Sequence, residues 1–139
     1  MPTEGDLWAQ LSAADRRHAV AVARATVKRL GQAERPVVAA ALLHDVGKLE
    51  SGLGTIGRVV ATLVSMTVSS STVASWSRVS GFRHQMAVYL RHPEEGAAVL
   101  ISAGSDPLTV SWVAEHHKNA DTWTVERSIG EALAEADND

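Results

Sequence analysis

The chain has 139 residues, 45% hydrophobic and 21% charged, with 13 basic and 16 acidic side chains and a formal net charge of −3. That length suits one domain with its own core, and the composition argues against long disorder. The charge balance leaves no footprint for nonspecific nucleic-acid binding, and the absence of cysteine excludes disulfides, thiolate metal sites and cysteine nucleophiles. Any metal must be held by nitrogen and oxygen, which directs attention to the six histidines.

The opening residues, Met1-Pro2-Thr3-Glu4-Gly5-Asp6, carry acidic groups and no apolar run, unlike a secretory signal. Ser12 followed by Asp15 reads as a helix start. His18, Ala21, Val22 and Ala25 then fall on one expected inward face, and Gly31 is the stop. Pro36 suits the first turn of a second helix, and residues 37–46 are almost wholly apolar before Gly47, as in a buried helix. Residues 55–68 fit a third helix, although their β-branched content also fits a strand. The most apolar run, 59–68, has ten residues, against the roughly 20 a membrane span needs. A soluble, cytoplasmic protein with no membrane partner is expected.

Ser69-Ser70-Ser71-Thr72 reads as a break, and 73–79 and 82–90 as short helices around Gly81. His92-Pro93 restarts the chain with His92 near an N-cap, and Gly104 ends that helix. Asp106-Pro107 repeats the start signal for a helix to about residue 118, and 124–136 is the last. No period-2 run, internal repeat or linker is present. The fold class is therefore all-α: a single compact helical bundle over residues 1–139.

His44-Asp45 closes the apolar second helix, where an isolated buried carboxylate would be costly without a cation or a metal. Taken alone, the pair fits a surface-facing helix end capped by Gly47. Four other segments offer ligands of the same kind: His18, His92, His116-His117 beside Glu115, and Asp137. Helix bundles build metal sites from inward groups on facing helices. Imidazole with carboxylate suits iron, manganese, zinc or nickel, and the number of groups exceeds what one ion needs.

The string Ala41-Leu42-Leu43-His44-Asp45-Val46-Gly47-Lys48 resembles the signature of the HD-domain metal-dependent phosphohydrolases. That family's pattern of a histidine, a His-Asp pair and a distant aspartate maps onto His18, His44-Asp45 and the Asp137 of Leu133-Ala134-Glu135-Ala136-Asp137. His92-Pro93-Glu94-Glu95-Gly96 and Glu115-His116-His117 resemble the binuclear branch that includes the HD-GYP phosphodiesterases. The Gly-Tyr-Pro motif of that branch is missing; the chain reads Lys118-Asn119-Ala120-Asp121-Thr122-Trp123, so cleavage of cyclic dinucleotides does not transfer. Residues 53–81 carry no pattern that points to a substrate.

The resemblance implies a bundle of the HD-domain type and one or two divalent transition-metal ions, iron or manganese ahead of zinc or nickel. His18, His44 and Asp137 would serve one ion, His92, His116 and His117 the other, with Asp45 bridging. It implies hydrolysis of a small phosphorylated substrate, such as a nucleotide, by a metal-activated hydroxide. Asp45 and Lys48 are its catalytic residues, Lys48 facing the phosphate; on its own, Lys48 equally fits a cation at a helix C-terminus. Asp121 rivals Asp137 as the last ligand.

Arg83, Arg91 and Lys118 read as surface cations, His84 as a surface histidine, and Trp8, Trp76, Trp112 and Trp123 as packing residues, Trp112 being placed to wall a pocket near His116. Glu94 and Glu95 favour a helix N-terminus. Homo-oligomers are compatible with all of this. The main alternative function is a regulatory module of the same fold that holds metal or nucleotide without turnover. Di-iron oxygenation, known among HD-type relatives, and a plain helical interaction domain are the others.

Overall fold

The structure, a computed structural model, describes residues 1–51, 63–64, 66–76, 78 and 80–139. Among these residues every regular element is a helix. Thr3 opens α1 (Glu4–Gln10) with a capping box, its hydroxyl accepting from Asp6 N–H while the Asp6 carboxylate takes the Thr3 N–H. No helix is expected here from the sequence, whose start is short and acidic. Ser12 caps α2 (Ala13–Leu30), and Gly31 ends it at φ 76°, a left-handed conformation that favours glycine.

The inward face of α2 differs from the expected one. Ala19, Val22, Ala23 and Thr26 are buried, while Ala21 is exposed and Ala25 half-buried. The stripe is turned by about one residue, and it admits Thr26 because the hydroxyl is satisfied by the Val22 carbonyl at 2.9 Å. His18 consequently lies at the rim of the core face, with 46% of its side chain exposed.

Helix α3 (Arg35–Leu43) carries proline in its first turn and buries Val37, Ala40, Ala41 and Leu43. It stops three residues short of the expected end. His44 and Asp45 form a turn, and a 3-10 helix, Val46–Ser51, follows. Gly47 is not the helix cap expected from the sequence. A Cβ there would stand 1.8 Å from the His92 carbonyl oxygen and 2.7 Å from Gly96 N. Gly47 thus lets the 3-10 helix lie backbone to backbone on the helix that starts at His92.

The helix expected over 55–68 lies largely outside the described residues, as does the end of the one expected over 73–79. The serine-rich break is instead a helix start: Ser69 accepts the Thr72 N–H on both its hydroxyl and its carbonyl, and α4 (Ser70–Trp76) follows. Then come α5 (Phe82–Leu90), α6 (His92–Ser102) and α7 (Pro107–Glu115). Asp106 caps α7 by accepting from Leu108 N–H at 2.9 Å. Helix α7 ends at Glu115, so His116 and His117 lie in the turn beyond it. A short 3-10 turn, Ala120–Thr122, leads to α8 (Arg127–Asp137), which starts three residues later than expected and ends on Asp137.

Helix α2 packs on α3 and α8, α3 also on α7, and α7 on α6; the 3-10 helix after α3 packs on α5 and α6. One core cluster joins Val22, Val37, Ala40, Trp112 and Leu133. A second joins Leu7, Leu43, Val46, Leu100 and Val113. The turn at His44-Asp45 lies between Leu43 and Val46 of the second cluster, which fixes its position. Burial of a leucine such as Leu100 or Leu133 is worth about 2 kcal/mol. No helix among the described residues is long and apolar enough to cross a membrane.

Candidate metal centre

Three histidines are set by one local device. His44 Nδ1 lies 2.9 Å from the Ala41 carbonyl, His92 Nδ1 2.9 Å from that of Tyr89, and His116 Nδ1 2.9 Å from that of Val113. A carbonyl only accepts, so each Nδ1 carries the proton and donates it. In the neutral ring the lone pair is then on Nε2, the arrangement that orients a metal-ligating imidazole. The carbonyl used is always three residues back, at the end of the preceding helix or turn.

The Nε2 atoms converge. His18, His44 and Asp137 place one ligand atom each within 4.8 Å of one another, and so do His92, His116 and His117. In the first group His18 Nε2 is 2.9 Å and His44 Nε2 3.2 Å from Asp137 Oδ1. In the second, the Nε2 atoms of His92 and His117 are 3.2 Å apart. Asp45 stands between the groups. Its Oδ2 is 3.5 Å from His44 Nε2, and its Oδ1 is 3.4 Å from His92 Nε2. The rings of His44 and His116 are 5.6 Å apart, and those of His116 and His117 4.0 Å, so the two groups are continuous.

Two nitrogens test the fit to a metal. His44 Nε2 and His116 Nε2 are shut off from solvent; His116 Nε2 has no partner, and His44 Nε2 faces Asp137 Oδ1 at 3.2 Å outside hydrogen-bond geometry. Buried polar atoms without partners are rare and costly. A cation coordinated by these lone pairs would satisfy both, and the donor set of imidazoles and carboxylates suits iron, manganese, zinc or nickel.

The charges are strongly coupled. Burial pushes the Asp45 carboxyl up, but His92, His44 and Lys48 together hold it well below the usual carboxylate range. His44, against burial and with help from His18, draws Asp137 down to about 2. Burial opposes a charge on His44, yet the Asp137 and Asp45 carboxylates outweigh it and its pKa rises. Burial pushes His116 down to about 3, with positive charge at His117, His44 and His92 adding to the effect. His117 moves down as well, through burial first and His92 second.

All seven expected ligands come together: His18, His44, Asp45, His92, His116, His117 and Asp137. Asp121 does not join them; its side chain is 82% exposed and pairs with Arg127 at 3.2 Å. Asp137 is held at the end of α8, where Asn138 closes back on the Ala134 carbonyl and Asp139 and Glu135 pair with Arg29. Lys48 Nζ lies 2.5 Å from Asp45 Oδ2, so it faces the carboxylate rather than a helix C-terminus. His84, Arg83, Arg91 and Lys118 are exposed. Trp112 is buried, with its ring 6.2 Å from that of His116, and forms the wall behind it.

Sequence reasoning missed the three carbonyls and the Gly47–Gly96 contact. Every residue has a carbonyl, so no residue type signals the first. Gly47 and Gly96 were visible only as glycines within the two ligand strings. A scan against known protein families, a search of curated proteins and a search of solved structures found no match to this chain.

Proposed function

We propose that the chain is a metal-dependent phosphohydrolase acting on a small phosphate ester or nucleotide. The observation that carries the reading is the pair of ligand groups on either side of Asp45, each with Nε2 lone pairs set by backbone carbonyls. His18, His44, Asp137 and one Asp45 oxygen would hold one ion; His92, His116, His117 and the other Asp45 oxygen would hold a second. Divalent ions so bound supply Lewis acidity, acidifying water near neutral pH and offsetting charge on a phosphoryl group.

The chain's own residues account for the rest. The Nδ1 hydrogen bonds of His44, His92 and His116 fix which ring nitrogen keeps its proton, so that Nε2 is the atom turned toward an ion. Lys48, on Asp45, is a fixed positive charge that favours an anionic group beside that carboxylate. Half-exposed His18 and exposed His117 mark the edge through which a small anion would enter.

The test is to purify the protein without chelators, measure bound metal, and assay phosphomonoesters, nucleotides and phosphodiesters with iron or manganese added. The expected result is two ions per chain and turnover of at least one class. Asp45→Ala should abolish both. Absence of metal together with absence of turnover would overturn the reading. Bound metal and nucleotide without product would leave the regulatory module instead.

A further inference from the structure

Glu115 is a buried carboxylate that the proposed chemistry does not use. It is 8% exposed, and among the described residues no cation pairs with it. Its partners are neutral donors on one short segment. Oε2 accepts from Thr124 N–H at 2.7 Å, and Oε1 accepts from the Thr124 hydroxyl at 2.7 Å. The Glu115 carbonyl accepts from Trp123 Nε1–H at 3.0 Å and from Lys118 N–H at 2.7 Å. One residue thus closes the His116-His117 turn and straps it to the chain entering α8. The strap is itself wedged: a Cβ on Gly130 would come within 2.6 Å of the Trp123 ring, and Trp123 stands edge-on to Trp112 at 5.2 Å.

We propose that Glu115 is a positioning residue for the His92–His116–His117 group, holding His116 and His117 in register with His92. This rests on the reading of that group as a metal holder. A carboxylate suits the task because both oxygens accept, and the two Thr124 groups both donate. Glutamine offers one accepting oxygen and one donating nitrogen, so it cannot satisfy the pair in the same way. Burying a charge among neutral donors is unfavourable relative to a neutral group, which is more than closure of a surface loop requires. The first group lies away from this strap, since its residues come from α2, the turn after α3, and the end of α8 opposite to the one the strap meets.

The experiment compares wild type with Glu115→Gln and Thr124→Val, the second removing one donor from an exposed residue. Ring-nitrogen NMR of the metal-free proteins reads the tautomers directly, and Co2+ titration reads the two sites by absorbance. The expected result is a single Nδ1–H tautomer at His116 in wild type that becomes a mixture in both variants, while His44 is unchanged. The Co2+ site whose filling shifts the His116 and His117 ring signals should lose roughly 10–100-fold in affinity, the range seen when a ligand's supporting hydrogen bonds are removed, and the other site less than about twofold. Unchanged His116 and His117 rings in both variants would overturn the proposal. Equal weakening of both sites would also overturn it, since it would show a general structural role. If wild type takes up no Co2+, the metal reading fails by itself and the ring signals still decide the positioning role.

Discussion

The two histidine-rich groups solve the same problem, crowding polar side chains together, differently. His18, His44 and Asp137 include their own counter-charge: the carboxylate lies within 3.2 Å of both imidazoles and lowers its pKa through them. This group is close to satisfied as it stands, with only His44 Nε2 outside hydrogen-bond geometry. His92, His116 and His117 contain no carboxylate. Their nitrogens face each other, His116 is driven to a pKa of about 3, and its Nε2 has no partner. The first arrangement is a stabilising ion-pair cluster. The second is a set of lone pairs held together by the packing of α6 and α7, and it gains most from a cation. Asp45 gives one oxygen to each, so the unsatisfied group borrows charge from the turn that serves the satisfied one.

Gly47→Ala should break both groups at once. The added carbon would overlap the His92 carbonyl, and overpacking of this kind costs about 3 kcal/mol or more. Thermal unfolding should show the loss, and metal content should fall at both sites because Asp45 and His92 are forced apart. A loss below about 1 kcal/mol would mean that the contact with His92 yields easily.

A smaller effect separates the groups. In chelator, Asp137→Asn should destabilise the protein by roughly 1 kcal/mol, since two imidazoles lose a partly exposed charged partner. His116→Gln should cost less than that, because it loses one neutral bond to the Val113 carbonyl while removing a ring with an unpartnered buried nitrogen. Denaturant melts check the pair; the reverse order would contradict the contrast drawn between the groups.

A last effect is in pH. His116 stays neutral in the folded chain down to about 3, whereas unfolded it takes a proton near 6.5. Between those values the unfolded state binds more protons, so metal-free stability falls as pH falls through that window. His44 acts oppositely: its pKa is raised on folding, so its contribution is full below 6.5 and is lost as pH rises through the folded value. Stability of the metal-free wild type should therefore drop more steeply on acidification than that of His116→Gln. Parallel curves would show that His116 does not stay neutral.

Much of this was readable in the chain. Proline and glycine marked the starts of α3, α6 and α7 and the ends of α2 and α6, because their backbone limits act locally. The histidine and aspartate strings pointed to the seven side chains that the structure brings together, because those are the donors left to a chain without cysteine. Helix ends were less readable. The apolar run through residue 46 and the run toward 118 looked like continuous helix. Tertiary packing ends them at Leu43 and Glu115, leaving His44-Asp45 and His116-His117 in turns.

By itself the sequence determined an all-helical chain carrying histidine and aspartate side chains on separate segments. Only the tertiary structure decided that Asp137 and not Asp121 meets His18, that Asp45 splits its oxygens between two groups, and that Glu115 secures the turn beside His116. The physical reason is range. Capping, proline and glycine effects act over about one helical turn. Distances between groups 119 residues apart, such as His18 and Asp137, are set by how α2 and α8 pack.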